Sequence, residues 1–185
     1  MDTGLEVRIW YQDESRFGLI THQGRKITLK GVKPIGLKQF EHKCFWMYGA
    51  TEPLTGESFF LEYDKLDGIC FEDYLRRFSK ENKKSMNLIF LDGAKAHKSM
   101  EIEIPPNIRL YFIPACSPEL NPEERVWQEL KKEVSWELFD DLNGLRKFLY
   151  QKIKDLSKLS LKSLTFFPYI RKVFQPIRPF FWNGV

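Results

Sequence analysis

The stretch NLIFLDGAKAH, from Asn87 to His97, constrains the possible fold more than any other part of the chain. Its apolar run from Leu88 to Leu91 is short and unbroken, and Asp92 and Gly93 follow it directly as a turn signal. This pattern predicts a strand that is buried on both faces. Asp92 would then stand at a strand end, where a rigid strand fixes a polar side chain and the next loop exposes it to a substrate. Taken alone, Asp92 is explained more simply as the first residue of a turn.

Two other segments are expected to bring acidic residues to the same place. Apolar and polar residues alternate from 7 to 12 and predict a second strand that runs into Asp13. The segment SPELNPEERVW, residues 117 to 127, predicts a helix with Glu123 and Glu124 in its first turn. Three acids on three elements suggest a metal site built from oxygen ligands. The residues alone do not choose between the two glutamates, because either can instead stabilise the helix start as a capping-box member or as an acid at the positive end of the dipole.

Composition and charge narrow the class of protein. The 185 residues are 43% hydrophobic, which is enough for one well-filled core and predicts a single globular domain. No apolar run approaches the roughly 18 residues needed to cross a membrane. Cys44, Cys70 and Cys116 lack the paired spacing of a zinc site, which indicates reduced thiols in a cytosolic protein. Residues 142 to 185 carry nine Lys or Arg against one acid, although the whole chain has a net charge of only +4. The C-terminal segment is therefore basic and the rest of the chain is acidic. This distribution would suit the binding of a polyanion.

The remaining pattern predicts the other elements of an α/β domain. They are an antiparallel hairpin (44 to 51 with 57 to 63), a helix (67 to 82) with Phe71, Tyr74, Leu75 and Phe78 in the core, a strand (108 to 113) and a basic amphipathic helix from residue 142. Residues 16 to 20 are expected to turn back as a separate strand. Residues 24 to 43 form a basic excursion that suits phosphate contact and exposure to solvent equally well. We place the domain at 1 to 157 and a basic, aromatic tail of undefined structure at 158 to 185.

Four motifs, in this order, resemble the catalytic domain of DDE transposases, in particular the bacterial insertion-sequence branch of the mariner superfamily. They are DESRFGL (13 to 19), YGATEPLTGESFF (48 to 60), LDGAKAH (91 to 97) and PACSPELNPEERVWQELK (114 to 131). The resemblance implies an α/β, ribonuclease-H-like fold with a mixed central sheet flanked by helices. It also implies a catalytic and metal-binding triad of Asp13, Asp92 and Glu124. Glu124 is selected over Glu123 because the family glutamate is the second residue after Asn-Pro.

The same resemblance implies metal-dependent cleavage and transfer of DNA strands. The expected cofactor is a pair of Mg²⁺ ions, replaceable by Mn²⁺, with Asp13 bridging both ions and Asp92 and Glu124 each completing one. The expected partners are double-stranded DNA of the element ends and the target, and a second copy of the chain in a homodimer, acting in the cytoplasm on the bacterial nucleoid. Candidate DNA contacts are the basic side chains Arg16, Arg25, Lys26, Lys95, His97, Lys98, Arg125 and Lys131.

Two other functions remain open from the sequence. Family members carry N-terminal helix-turn-helix modules, whereas Asp13 is close to the start here. We therefore expect either an excised domain or the downstream reading frame of an element that encodes its transposase in two pieces, with a separate recognition polypeptide as partner. One alternative is a ribonuclease-H-like DNA endonuclease that cuts strands without joining them. The other is a non-catalytic DNA-binding fragment of a decayed transposase.

Overall fold

A five-stranded mixed sheet forms the centre of the computed structural model, which describes residues 5–21, 27–33, 35–93, 102–114 and 117–174. The elements are β1 (Glu6–Ile20), β2 (Phe40–Glu52), β3 (Glu57–Tyr63), α1 (Gly68–Glu81), β4 (Ser85–Asp92), β5 (Ile108–Ile113), a 3₁₀ turn (Pro118–Leu120), α2 (Glu123–Val134), α3 (Leu142–Asp155), α4 (Lys158–Thr165) and α5 (Pro168–Phe174). The strand order is β3-β2-β1-β4-β5. The first three strands are antiparallel, whereas β4 and β5 run parallel to β1.

β1 is one continuous strand, so the prediction that residues 16 to 20 turn back is wrong. These residues continue to pair with β2, which is long enough to accept them and buries Phe17 between the sheet and the helices. Asp13 therefore lies inside β1 rather than at its end. Parallel pairing with β4 nevertheless extends only to Gln12 opposite Leu91, and β4 ends one residue later. Asp13 thus occupies the point where β1 loses one of its two neighbours.

The sheet face covered by α1, called the α1 face, is an aromatic core. Asp67 caps α1 by accepting a hydrogen bond from the backbone N–H of Cys70 at 2.9 Å. The four residues predicted to face inward are all fully buried, which confirms that they belong to the core: Phe71, Tyr74, Leu75 and Phe78. They pack against alternate side chains of the strands, including Trp10 and Ile89.

The opposite face, called the α2 face, is covered by α2, α3 and α4. Phe17 and Phe45 pack here against Trp127, the largest side chain that α2 contributes. The predicted helix from residue 142 is present as α3, and its Leu145 and Leu149 are fully buried on this face. The odd-numbered residues of β1, which include Asp13, share this face because side chains alternate along a strand.

Two short helices form in the segment after residue 157, for which the sequence predicted no structure. Ser157 caps α4 through a hydrogen bond from the backbone N–H of Ser160, and Leu161 buries the helix against the core. The contact is close at Gly56 in the β2–β3 turn, where a Cβ would lie 1.9 Å from the carbonyl oxygen of Lys158. Gly56 also has a φ of +77°, which favours glycine. α5 follows and buries Ile170.

The excursion between β1 and β2 is exposed where the structure describes it, at residues 27–33 and 35–39. Hydrogen bonds between Thr21 and Gln39 close its base. Among the described residues, no helix has both the length and the apolar character needed to cross a membrane.

Candidate active site

Asp13 is the centre of a group of acidic side chains at the end of the parallel part of the sheet. Burial raises the pKa of Asp13 to about 8, and the negative charges of Glu14, Glu124 and Asp92 act in the same direction. These effects place the two other acids predicted from the sequence, Asp92 and Glu124, within electrostatic range of Asp13. Such a group of like charges binds protons, or cations, more readily than an isolated carboxylate does.

Asp92 reaches this group because the strand register is fixed by stacked aromatic rings. Phe90 stacks on Tyr11 of β1 at 5.4 Å between ring centroids and on Tyr111 of β5 at 5.2 Å. Asp92 is the last residue of β4 and, two residues beyond Phe90, projects from the same face of the sheet. The predicted position of Asp92 at the end of a strand is therefore confirmed, and this face is the one on which Asp13 lies.

The two glutamates at the start of α2 have opposite environments. Glu123 is fully buried under the α2 face, whereas Glu124 is half-buried and lines an open cleft. Of the two, only Glu124 is accessible to a substrate or an ion. The structure thus supplies the distinction between them that the residue pattern did not.

Asn121 fixes the start of α2 against β1. Its side-chain amide donates a hydrogen bond to the backbone carbonyl of Gln12 at 2.9 Å, and its side-chain oxygen accepts one from the backbone N–H of Glu123 at 3.2 Å. Asn121 is almost fully buried, and the regular helix begins two residues later, at Glu123. A single side chain therefore connects the residue before Asp13 to the residue before Glu124, which holds both acids in a fixed relation.

Glu123 is a buried carboxyl group that sequence reasoning assigned only to the helix start. Neither of its oxygens has a hydrogen-bond partner, and burial raises its pKa to about 8 despite the nearby Thr51, which acts in the opposite direction. Space for it exists because its neighbour in β2 is Gly49, where a Cβ would lie 2.8 Å from Oε1. Gly49 pairs directly with Asp13, so Glu123 lies on the same face of the sheet as this acid, over the neighbouring strand.

The chemistry of Asp13, Asp92 and Glu124 fits a hard divalent cation, since all three supply carboxylate oxygens. The three side chains are, however, not close enough together to form a complete metal site. Among the described residues, no group of three His, Cys, Asp or Glu side chains is gathered closely enough to hold a metal ion. The acids are therefore neighbours at one edge of the sheet rather than a closed coordination sphere.

The predicted DNA contacts fall into three groups. Arg125 lies beside Glu124 in the same cleft, and Lys131 follows about two turns further along α2. Arg16 is exposed, but its even position in β1 directs it to the sheet face opposite Asp13, so the structure does not bring it to the acids. The other five lie outside the described residues: Arg25, Lys26, Lys95, His97 and Lys98.

Comparison with known proteins identifies one family across most of the chain. Residues 8–146 match the model of the DDE superfamily endonuclease family. An uncharacterized protein of Sinorhizobium fredii, y4pE/y4sA, is 29% identical over 102 residues, which is 54% of this chain and 76% of that protein. The uncharacterized 39 kDa protein of insertion element IS630 from Shigella sonnei is 23% identical over 132 residues, which is 69% of this chain and 38% of that protein.

Solved structures of Mos1 transposase share the fold. The Mos1 strand transfer complex gives a TM-score of 0.64 at 11% identity and covers 85% of this chain. The Mos1 mariner paired-end complex with Mn gives the same TM-score at 12% identity and covers 96% of this chain. These alignments take in 50% and 56% of the Mos1 chains, so the chain spans about half the length of these proteins. The predicted ribonuclease-H-like fold, a mixed sheet flanked by helices, is confirmed.

Proposed function

Because the chain belongs to the DDE superfamily of endonucleases, we propose that it is the catalytic domain of an insertion-sequence transposase, which cleaves DNA strands and transfers them to a target. The observation that carries this proposal is that Asp13, inside β1, lies within electrostatic range of both Asp92, at the end of β4, and Glu124, at the start of α2. Three acids on separate elements, held near one another against their repulsion, suit an enzyme that binds cations at a phosphodiester.

Asp13, Asp92 and Glu124 would hold a pair of Mg²⁺ or Mn²⁺ ions. When bound, such ions activate an attacking oxygen and stabilise the leaving oxygen of an in-line displacement at phosphorus. The chain's own part is to fix the acids on rigid elements. β1 and β4 supply two of them, and Asn121 holds the helix that supplies the third. The raised pKa of Asp13 reflects burial and neighbouring negative charge, which a bound cation would offset.

The proposed substrate is double-stranded DNA, both as element ends and as target. The relatives support this choice by their descriptions, which include an insertion element and Mos1 complexes for strand transfer and paired ends. Arg125 beside Glu124 would contact a phosphate of the strand that reacts. The active form would be a homodimer in the cytoplasm, and a separate polypeptide would recognise the element ends.

Nicking of supercoiled plasmid by the purified chain tests this proposal. We expect nicking with Mg²⁺ or Mn²⁺ but not with Ca²⁺, and a loss of roughly a thousandfold in Asp92→Asn, as is typical when a group that acts in the transition state is removed. The matched control is Asp64→Asn, because Asp64 is 87% exposed in its side chain and lies at the end of β3. Equal activity of Asp92→Asn and wild type would refute the assignment.

Strand transfer needs an experiment of its own. A labelled DNA end with a free 3′-hydroxyl is incubated with plasmid and the chain, and the joined product is measured. Joined product that depends on Asp92 supports a transposase. Nicking without joining would instead support the endonuclease that cuts but does not transfer, and stable DNA binding without nicking would support the non-catalytic fragment.

A further inference from the structure

The cleft beside Glu124 has a second wall that the C-terminal segment supplies. On one side lie Glu124, Arg125 and Gln128 of α2, and on the other lie Phe167 and Tyr169, about forty residues later in the chain. Its volume of about 610 Å³ falls within the range of sites that hold small ligands. The aromatic wall thus stands next to the acid that the proposed reaction requires.

The guanidinium of Arg125 is oriented so that it could bind a phosphate. Its guanidinium lies over the ring of Phe167 at 4.5 Å from the ring centroid, and its side chain is exposed. The guanidinium thus contacts an aromatic ring, which does not use its N–H donors. Stacking fixes the guanidinium plane while its N–H donors stay available, and a planar fork of donors matches phosphate oxygens.

Tyr169 adds an aromatic face whose direction is also fixed. Its hydroxyl donates a hydrogen bond to the backbone carbonyl of Glu119, in the turn before α2. Its ring lies 5.6 Å from that of Phe167, and 38% of the residue remains exposed. Because the hydroxyl is engaged, the available part of Tyr169 is its ring, which is the part that stacks on a nucleobase.

We propose that this cleft binds one unpaired nucleotide of the DNA substrate, with its base against Tyr169 and Phe167 and its phosphate on Arg125. A paired base is already stacked within a duplex, so an aromatic platform selects a base that has left it. The side-chain amide of Gln128 lies where it can contact the base edge. This assignment rests on the proposed function, since it places the nucleotide next to the strand that reacts at Glu124.

The test compares two DNA duplexes by fluorescence anisotropy in Ca²⁺, one fully paired and one of equal length with three unpaired nucleotides at its 3′ end. We expect wild type to bind the unpaired form roughly tenfold more tightly, as stacking of one base on an aromatic side chain implies. Tyr169→Leu and Arg125→Leu should each lose most of this preference, whereas Tyr169→Phe, which keeps the ring, should retain it. Tyr150→Leu is the matched control, because Tyr150 is 39% exposed on the separate helix α3.

The outcomes separate this assignment from the function on which it rests. Equal affinity of wild type for both duplexes, together with metal-dependent nicking, would overturn the nucleotide site and leave the transposase function intact. A preference that persists in Arg125→Leu and Tyr169→Leu would also overturn the site, with thermal melting used to verify that both variants are folded. Failure of wild type to bind either duplex would refute the site and the proposed function together.

Discussion

Two glutamates are buried in the part of the chain that the structure describes, and their surroundings are opposite. Glu52, 4% exposed, is paired with Arg8 at 2.6 Å and accepts a hydrogen bond from the hydroxyl of Thr55. Glu123, which is fully buried on the α2 face, has no hydrogen-bond partner for either oxygen. A buried charge is tolerated when it is paired and hydrogen-bonded, and otherwise the group becomes neutral. The negative charge of Glu52 is therefore compensated by its partners. A negative charge on Glu123 would have no such compensation.

The same difference extends to the two faces of the sheet. On the α1 face, the indole N–H of Trp10 donates to the side-chain oxygen of Asn87 at 3.1 Å, and the amide of Asn87 donates to three backbone carbonyls. On the α2 face, buried polar atoms of Ser15, Thr51 and Trp127 have no hydrogen-bond partner. On the α1 face, the side-chain oxygen of the buried Gln12 also has no hydrogen-bond partner. The two faces therefore differ in degree: most of the unsatisfied buried groups, Glu123 included, lie on the α2 face, which also carries Asp13.

Removing the partner of Glu52 should produce the largest loss of stability. In Arg8→Ala, the Glu52 carboxylate stays buried without its cation, so we expect the free energy of unfolding to fall by about 3–5 kcal/mol in a urea titration. The double variant Arg8→Ala with Glu52→Leu should recover most of this loss, because it removes the buried charge as well. A loss below about 1 kcal/mol in the single variant would show that the pairing does not stabilise this face.

The α2 face should instead lose stability as pH rises. The folded-state pKa values of Asp13 and Glu123 are both raised to about 8, so the folded protein binds more protons than the unfolded chain between about pH 4.5 and 8. Stability is thus fully present below this window and falls through it, by about 2–3 kcal/mol after allowance for relaxation. The lowered pKa values of Glu57 and Asp73 act in the opposite direction only at lower pH.

Melting temperatures from pH 5 to pH 8 in EDTA measure this effect. Glu123→Gln keeps the shape of the side chain and cannot ionise, so it should flatten the decline. Glu57→Gln should leave it unchanged, because Glu57, the half-buried first residue of β3, pairs with Arg8 and Lys158 and has a lowered pKa. A wild-type protein that becomes more stable from pH 5 to pH 8 would contradict the contrast between the two faces.

The link made by Asn121 should matter for the α2 face in two ways. Asn121→Ala leaves the carbonyl of Gln12 and the N–H of Glu123 without their buried partner, which should lower the free energy of unfolding by about 2 kcal/mol. Because the start of α2 is then no longer fixed to β1, metal-dependent nicking should fall further than stability explains. Asn143→Ala, at an exposed position of α3, serves as the control. Unchanged nicking would show that Asn121 does not position Glu124.

Local patterns in the sequence predicted the elements whose residues alternate with a clear period. The strand Ile108–Ile113 matches its predicted bounds, and the inward stripe of α1 is the predicted one. Asp92 was also correctly placed at the end of a strand. In these segments, the pattern of apolar residues within the segment itself specifies which side is buried.

Other features depend on parts of the chain that are distant in sequence. Residues 16 to 20 were expected to turn back as a separate strand, yet β1 continues through them because β2 supplies a long antiparallel partner. A glutamate in the first turn of a helix is usually solvated, and Glu123 is buried because Gly49 leaves space in another strand. The position of Phe167 on Arg125 has no periodic signal at all. Long-range packing decides each of these features, and local sequence does not report it.

Divalent cations should stabilise the α2 face by compensating the negative charge of its acidic side chains. A cation bound by Asp13, Asp92 and Glu124 offsets their mutual repulsion and binds the folded state only, so Mg²⁺ or Mn²⁺ at ten times its Kd should stabilise the protein by about 1.4 kcal/mol. Thermal melting at increasing metal concentration measures the gain. In Asp13→Asn, the metal-free protein should melt at a higher temperature than wild type because a half-buried acid with acidic neighbours is gone, and the response to cations should vanish. Asp64→Asn, the exposed control, should respond like wild type. An unchanged cation response in Asp13→Asn would place any bound ion elsewhere and remove the main reason for treating the α2 face as incomplete without it.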